Sequence, residues 1–215
     1  SSGENMLLSC FALQGGAGTK YDGVNTDSKY ACIDHPEVNE LGYFTNKVGY
    51  WKVDNDTLYL SSHNDKNGTY IEDDKIIFGF EDKRPWEDKK ITSVVVEKPS
   101  GKKLYPKSMK NLFRDCADTT SIDLTNLNAS FVTSMENLCA SCTKLQTITF
   151  WDNPYISEVV DMRNMFCDCV LLSSLDLSMF DTSKVTDMGN MFTNCKALTA
   201  VTFSDRFNTG NVKNM

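Results

Sequence analysis

Met162-Arg163-Asn164-Met165-Phe166-Cys167-Asp168-Cys169 is the stretch that decides how this chain is read. Its pattern, Met-x-x-[Leu/Met]-[Phe/Cys]-x-x-Cys, occurs at Met109–Cys116, Met135–Cys142, Met162–Cys169 and Met188–Cys195, with starts 26, 27 and 26 residues apart. A further Met follows 27 residues on, at Met215. A fixed period of this length marks a solenoid. Within one copy Met162, Met165, Phe166 and Cys169 stand at i, i+3, i+4 and i+7, which predicts a short helix with one apolar stripe. Six residues after each Cys comes an alternating triplet: Ile122-Asp123-Leu124, Ile148-Thr149-Phe150, Leu175-Asp176-Leu177 and Val201-Thr202-Phe203. Such triplets predict short strands whose outer residues point inward and whose middle residue points out. One helical turn and one short strand cannot bury their own apolar sides, so the copies must stack. The strands then form a parallel ladder with rungs roughly 4.7–4.9 Å apart.

The segment Leu172-x-x-Leu175-Asp176-Leu177-Ser178-x-Phe180-Asp181-Thr182-Ser183-x-Val185-x-x-Met188-x-x-Met191-Phe192-x-x-Cys195 resembles the BspA-like leucine-rich repeat, the bacterial surface protein repeat. The likeness covers about residues 91–215. The first copy departs from it with Thr119, where later copies carry Leu145, Leu172 and Leu198. The second departs with Cys139 in place of Phe and with Trp151-Asp152-Asn153-Pro154, which lengthens its loop. Upstream, Trp51 to Leu60 is similar to a Trp-containing strand motif that precedes such arrays, and Arg84-Pro85-Trp86 ahead of Ile91–Val96 resembles the lead-in to a first rung. The resemblance implies an α/β fold, a leucine-rich-repeat solenoid of parallel strands with short convex helices. It also implies an extracellular or cell-surface protein that adheres to a host or bacterial surface protein, or to a glycan.

Composition sets bounds on this reading. Two domains are expected: a small β-rich head over residues 1–90 and the solenoid over residues 91–215. The head carries 16 acidic and 10 basic side chains, and the array 13 and 12. An acidic head beside a near-neutral array argues against nucleic acid, which requires a basic footprint. No window approaches the roughly 18 apolar residues of a membrane span. Leu7-Leu8-Ser9-Cys10 lacks the apolar run that would make it a lipobox. In the head, Leu58–Leu60 and Tyr70-Ile71 flank Asn67-Gly68, a hairpin-turn dipeptide. Tyr43–Val53 and Ile76–Phe80 read as two more strands, and Ser28–Glu40 as a helical turn. The later part of the head is expected to cover the first apolar side of the solenoid, and the array to run on past Met215.

The eight cysteines tempt one towards a metal, with Cys139-x-x-Cys142 and Cys167-x-Cys169 spaced like zinc ligands. Cys116 and Cys195 fill the same repeat position as Cys142 and Cys169 without such neighbours, so a packed column of small side chains is the simpler account. No metal and no cofactor are expected. Side chains along that column project in parallel, which disfavours disulfides. Cys10 and Cys32 are the pair best suited to a bridge, and whether they form one stays open.

Other motifs fall short. Gly15–Lys20 is Gly-rich without the Gly-Lys-[Ser/Thr] spacing of a phosphate loop. His63-x-Asp65-x-Asn67-Gly68 has His and Asp74 where a calcium loop needs Asp and Glu. His35 and His63 are the two histidines, and neither is read as neighbouring a candidate nucleophile. No catalytic residue is therefore assigned, and the chain is expected not to be an enzyme.

A partner is expected on the outward strand positions, with Asp123, Thr149, Asp176, Thr202 and Trp151 as contacts and Tyr155 close by in the lengthened loop. Trp is enriched at binding hot spots. Packing of Trp151 over its own loop is the competing account, and both stay open. Asp123 and Asp176 lie two rungs apart, roughly 9–10 Å, too far to share one calcium ion. The alternatives to adhesion are a structural spacer and, less favoured, a hydrolase in the head.

Overall fold

The chain divides between Asn46 and Lys47, and the computed structural model describes residues 49–63, 70–73, 75–81, 83–98, 103–151 and 158–215, all in the second unit. The readings placed on Cys10, Cys32, Gly15–Lys20, Ser28–Glu40, Asn67-Gly68 and Tyr155 lie outside the described residues.

Strands β1 (Gly49–Asp54) and β2 (Thr57–Ser61) pair antiparallel. Asn55 and Asp56 join them at φ 48° and 58°, the two left-handed residues of a type I′ turn, whose twist matches that of the strands. β3 (Ile71–Asp73) pairs with the other side of β1. The hairpin is therefore closed by Asn55-Asp56, and Tyr70-Ile71 does not face Leu58–Leu60 as expected. Lys75–Phe78 forms one helical turn, α1, where a strand was expected. Ile76 and Ile77 are both fully buried, and adjacent strand residues point to opposite faces, so a strand could not bury both on one side. β1 passes so close to this turn that a Cβ on Gly49 would lie 2.5 Å from Ile76 Cγ2. Trp86 meets Trp51 and Phe80 edge-on, with ring centroids 5.6 and 5.3 Å apart, and locks the cap core.

β4 (Ser93–Val96) runs parallel to β2 and starts the ladder, followed by β5 (Ser121–Asp123) and β6 (Thr147–Thr149). The sheet order is β3-β1-β2-β4-β5-β6, so cap and first coils share one sheet. β7 (Ser174–Leu177) and β8 (Ala200–Phe203) form a second parallel pair. The chain is thus a solenoid with almost no helix among its described residues. Ile122, Leu124, Leu175 and Leu177 are buried, while Asp123, Thr149, Asp176 and Thr202 are exposed, as the alternation predicts; Phe203, expected inward, is exposed in the last coil. Thr119 sits where later coils have Leu because its hydroxyl donates to the Ile91 carbonyl at 2.9 Å, at the junction with the cap.

The short helices expected in each coil are replaced by two successive β-turns. Leu112 N donates to Met109 O at 3.2 Å and Cys116 N to Phe113 O at 3.2 Å, each closing a turn. The third residue of each turn has positive φ: 56°, 54°, 52° and 57° at Asn111, Asn137, Asn164 and Asn190, then 59°, 63°, 62° and 62° at Asp115, Ser141, Asp168 and Asn194. This is the type II pattern, and Asn and Asp tolerate the left-handed region. In a helix each N–H would bond four residues back. Here Asn111, Phe113 and Asp115 donate instead to Glu136, Leu138 and Ala140 of the next coil, at 2.9, 2.9 and 2.8 Å. Two adjacent four-residue turns bring i, i+3, i+4 and i+7 inside, so they bury the same Met, Leu, Phe and Cys that a helix would.

Side chains fix the register of the stack. Ser134, Asp161 and Asp187 accept the N–H two residues on, at 3.2, 3.0 and 2.9 Å, and set the corner before each double turn. Behind them runs a column of alternating charge: Glu81–Lys110 at 2.7 Å, Lys110–Glu136 at 3.4 Å, Glu136–Arg163 at 3.3 Å and Arg163–Asp187 at 3.6 Å. Exposed pairs are individually weak, and a one-coil slip would place like charges together.

Asn164→Ala is expected to lower stability by about 1–2 kcal/mol, because alanine resists the left-handed region, while Asn164→Gly largely retains it. Urea midpoints of the two variants check this; a tolerated alanine would refute the double-turn account.

Candidate functional site

The outward face of the main sheet is an ordered array of side chains that the strand register assembles outside the core. Two rows cross it. Lys52, Tyr59, Val95, Asp123 and Thr149 are successive Cα partners from β1 through β6, and Asp54, Thr57, Ser93, Ser121 and Thr147 form the parallel row. Leu58, Leu60, Val94 and Ile122 are buried on the opposite side of the same strands, which forces their neighbours outward.

The chemistry of the face is that of short, fixed hydrogen-bonding groups. Thr57 Oγ1 and Ser93 Oγ lie 2.9 Å apart. Asp123 Oδ1 accepts from Thr125 N at 2.9 Å and Thr125 Oγ1 at 2.5 Å, so its carboxylate is oriented from below. Asp176 Oδ1 accepts Ser178 N at 2.8 Å, and the hydrogen bonds from the Ser178 side chain and backbone hold its carboxyl below the usual range. At the cap end, Lys52 Nζ sits 5.2 Å from the Tyr59 ring centroid and 4.4 Å from that of Tyr70, within cation–π reach of both. The Tyr70 hydroxyl donates to Glu97.

Of the residues picked from sequence, Asp123 and Thr149 are direct neighbours across β5–β6, and Asp176 and Thr202 across β7–β8. The two pairs sit in different sheets. Trp151 is not on the face. It is 1 % exposed and packs against Phe150 and Phe180, with centroids 5.1 and 5.7 Å away. The break in the strand alternation at Trp151 is thus a core feature. Lys52, Tyr59, Ser93 and Val95 were missed as face residues, although the alternation in Tyr50-x-Lys52-x-Asp54 and Thr57-x-Tyr59 carried the signal.

Residues 107–215 match the family model described as Mycoplasma protein of unknown function, DUF285. The chain belongs to this family. The DUF285 match takes in all four Met-to-Cys steps and β5 to β8, hence Asp123, Thr149, Asp176 and Thr202, while the Lys52–Tyr59 part of the face lies ahead of it. No curated protein and no solved structure matches the chain.

The DUF285 cysteines are free thiols, and all of them but Cys167 pack on the inside of the coils. Cys142, Cys169 and Cys195 donate their S–H to the carbonyls of Phe113, Cys139 and Phe166 in the preceding coil, at 3.0, 3.2 and 3.0 Å. Burial pushes the Cys116 thiol up to about 12 and drives those of Cys139 and Cys169 well above the ordinary range. The thiolate is the nucleophile and the metal-binding form, so these groups are held in their inert state. One reading of the histidines needs correcting: Ser62 does neighbour His63, with its Oγ 2.9 Å from Nδ1. Ser62 is 2 % exposed, which closes that hydroxyl to an external substrate. No helix among the described residues is long and apolar enough to cross a membrane.

Two measurements follow. Trp151→Ala should cost about 3–5 kcal/mol of stability through the cavity it leaves, read as a lower thermal midpoint; an unchanged midpoint would place the indole outside the core. Iodoacetamide mapping at neutral pH should modify Cys167, which is half-buried, well before Cys139, Cys142 or Cys169, and all should react in urea. Early labelling of Cys139 would show that the column is open.

Proposed function

We propose that this DUF285 protein is a non-enzymatic binding module that presents its outward sheet face to an extracellular or cell-surface partner. The observation that supports this reading most is the register: capping hairpin and repeats place Lys52, Tyr59, Val95, Asp123 and Thr149 in one row, on a rigid sheet, with none of the row in the core. Preorganised side chains on a rigid face lose little entropy on binding, which favours a docking role. The thiols of the interior are buried and protonated, which accords with structure rather than chemistry as their task.

The likeness of the repeats to BspA-like leucine-rich repeats, with their roles in adhesion and co-aggregation, is part of this proposal and points to a host or bacterial surface protein as partner. A glycan is the second candidate, since the row offers hydroxyls, a carboxylate and a tyrosine ring. The competing role is a spacer, in which the coils hold another part of the protein away from its anchor.

Capture of the protein by immobilised extracellular-matrix and bacterial surface fractions is expected. Asp123→Arg should reduce it by roughly tenfold with little change in the thermal midpoint, because the position is exposed. Lys184→Ala, whose partner Glu158 lies 2.7 Å away in a surface ion pair off this face, should leave capture intact. Equal capture of all three proteins would discard the face, and no capture at all would favour the spacer.

A further inference from the structure

Between the cap and the first coil lies a cavity of about 140 Å³, several times the roughly 30 Å³ of one liquid water. Three basic side chains, Arg84, Lys89 and Arg114, and three acidic ones, Glu87, Asp115 and Asp118, line it beside Trp86. Its floor is a guanidinium that the protein serves poorly. The Arg84 side chain is 3 % exposed, yet its closest carboxylate oxygens, Glu87 Oε2 and Asp115 Oδ2, stand 3.5 and 3.7 Å from Nη2. Nη1 reaches the Asn111 carbonyl only at 3.5 Å. A charge-assisted contact of full strength measures roughly 2.7–2.9 Å. Arg84 Nε is buried with no hydrogen-bond acceptor, and so is Trp86 Nε1 beside it. Buried donors without acceptors are rare and costly. Arg84 borders the cavity and its Nη groups hold only long contacts, so what the site lacks is a compact group rich in acceptors.

We propose that this cavity binds a small oxyanion, a phosphate-like or carboxylate group, on the Arg84 fork. The planar guanidinium matches two oxygens of such a group bidentately, through its Nη1–Nη2 edge, which neither Glu87 nor Asp115 does. Lys89 and Arg114 stand at the rim and add positive charge, while the Asp118 carboxylate of the lining is engaged by Lys144 at 2.6 Å. Asp115 is the competitor: it approaches Arg84 at 3.7 Å but sits closer to Arg114, at 3.2 Å from Nε, and stays paired there when an anion takes the fork. Glu87 belongs to the turn of residues 84–89, where its carboxylate also accepts the Arg84 N–H at 3.4 Å. Because Arg84 comes from the cap and Asp115 from the first double turn, an anion held here ties the cap to the array.

The test is calorimetric titration of the whole chain with inorganic phosphate and, separately, with acetate, at ionic strength held constant with sodium chloride. Saturable binding of one or both anions is expected, with a matching rise in the thermal midpoint. Arg84→Lys keeps the charge and loses the fork, so binding should weaken by roughly tenfold or more. Asp115→Asn removes the competing carboxylate at an exposed position and should tighten binding, an arm that still decides if Arg84→Lys fails to fold. Phosphate binding ahead of acetate would identify the site as phosphate-like, and the reverse order as carboxylate-selective. The proposal is overturned if neither anion binds the parent or Asp115→Asn, if Asp115→Asn leaves the affinity unchanged, or if Arg84→Lys folds and binds as tightly as the parent.

Discussion

The N–H groups of Asn111, Phe113 and Asp115 find their acceptors in the next coil, on Glu136, Leu138 and Ala140, and the same hand-off repeats from Asn137, Cys139 and Ser141 to Arg163, Met165 and Cys167. A coil therefore cannot satisfy its own backbone. Its turns leave alternate donors pointing along the solenoid axis, and only a neighbour with the same geometry accepts them. This explains why the period is kept so strictly. An insertion inside the double turn would strand several buried N–H groups at once, each at the cost of a lost hydrogen bond. Both 27-residue spacings keep the eight-residue double turn intact, so their extra residue lies elsewhere in the coil. Stability in such an array is a sum of coil and interface contributions, so the cap on the first coil matters as much as any repeat. Trp86, Phe80 and Trp51 supply the apolar part of that cap, and Thr119 its hydrogen bond.

Much of this was legible in the residues. The Met–Leu/Met–Phe–Cys columns and the inward and outward strand positions were, because burial alone fixes which residues repeat. What apolar spacing could not distinguish was helix from double turn, since both bury i, i+3, i+4 and i+7. The distinguishing mark was polar. Asn stands third in every copy, at Asn111, Asn137, Asn164 and Asn190, and Asn is the residue that accepts a left-handed backbone most readily after Gly. The same chemistry went unread at Asn55-Asp56, where it closes the hairpin. Trp151 was ambiguous for a different reason. A large aromatic at an alternating strand position signals either an anchor or a filled gap, and only the position of Phe180 from the following coil resolves it. The under-served Arg84 guanidinium left no mark in sequence, because it depends on where a cap arginine falls relative to a turn one coil away.

Interior and face carry separate chemistries, and that separation bears on function. Sulfur, methyl and phenyl groups fill the inside, where polarisable thioethers and small thiols adapt to a narrow coil. Cys142, Cys169 and Cys195 each also donate one hydrogen bond to the coil before, so cysteine there contributes to register as well as volume. Among the outward strand residues, Thr57 and Ser93 bond each other across β2 and β4, whereas the carboxylates turn back on their own coil. Asp123 and Asp176 are held by the residue two positions on, Thr125 and Ser178, within their own coil, so replacing either one leaves the next coil unaffected. A surface whose residues can vary while the buried turns keep the register accords with the binding role proposed above. The sheet offers a plane, with its groups spread along it at the rung spacing. An extended partner running across the strands could meet Lys52, Tyr59, Asp123 and Thr149 in succession, each contact weak alone and their sum dependent on the register that the buried turns maintain.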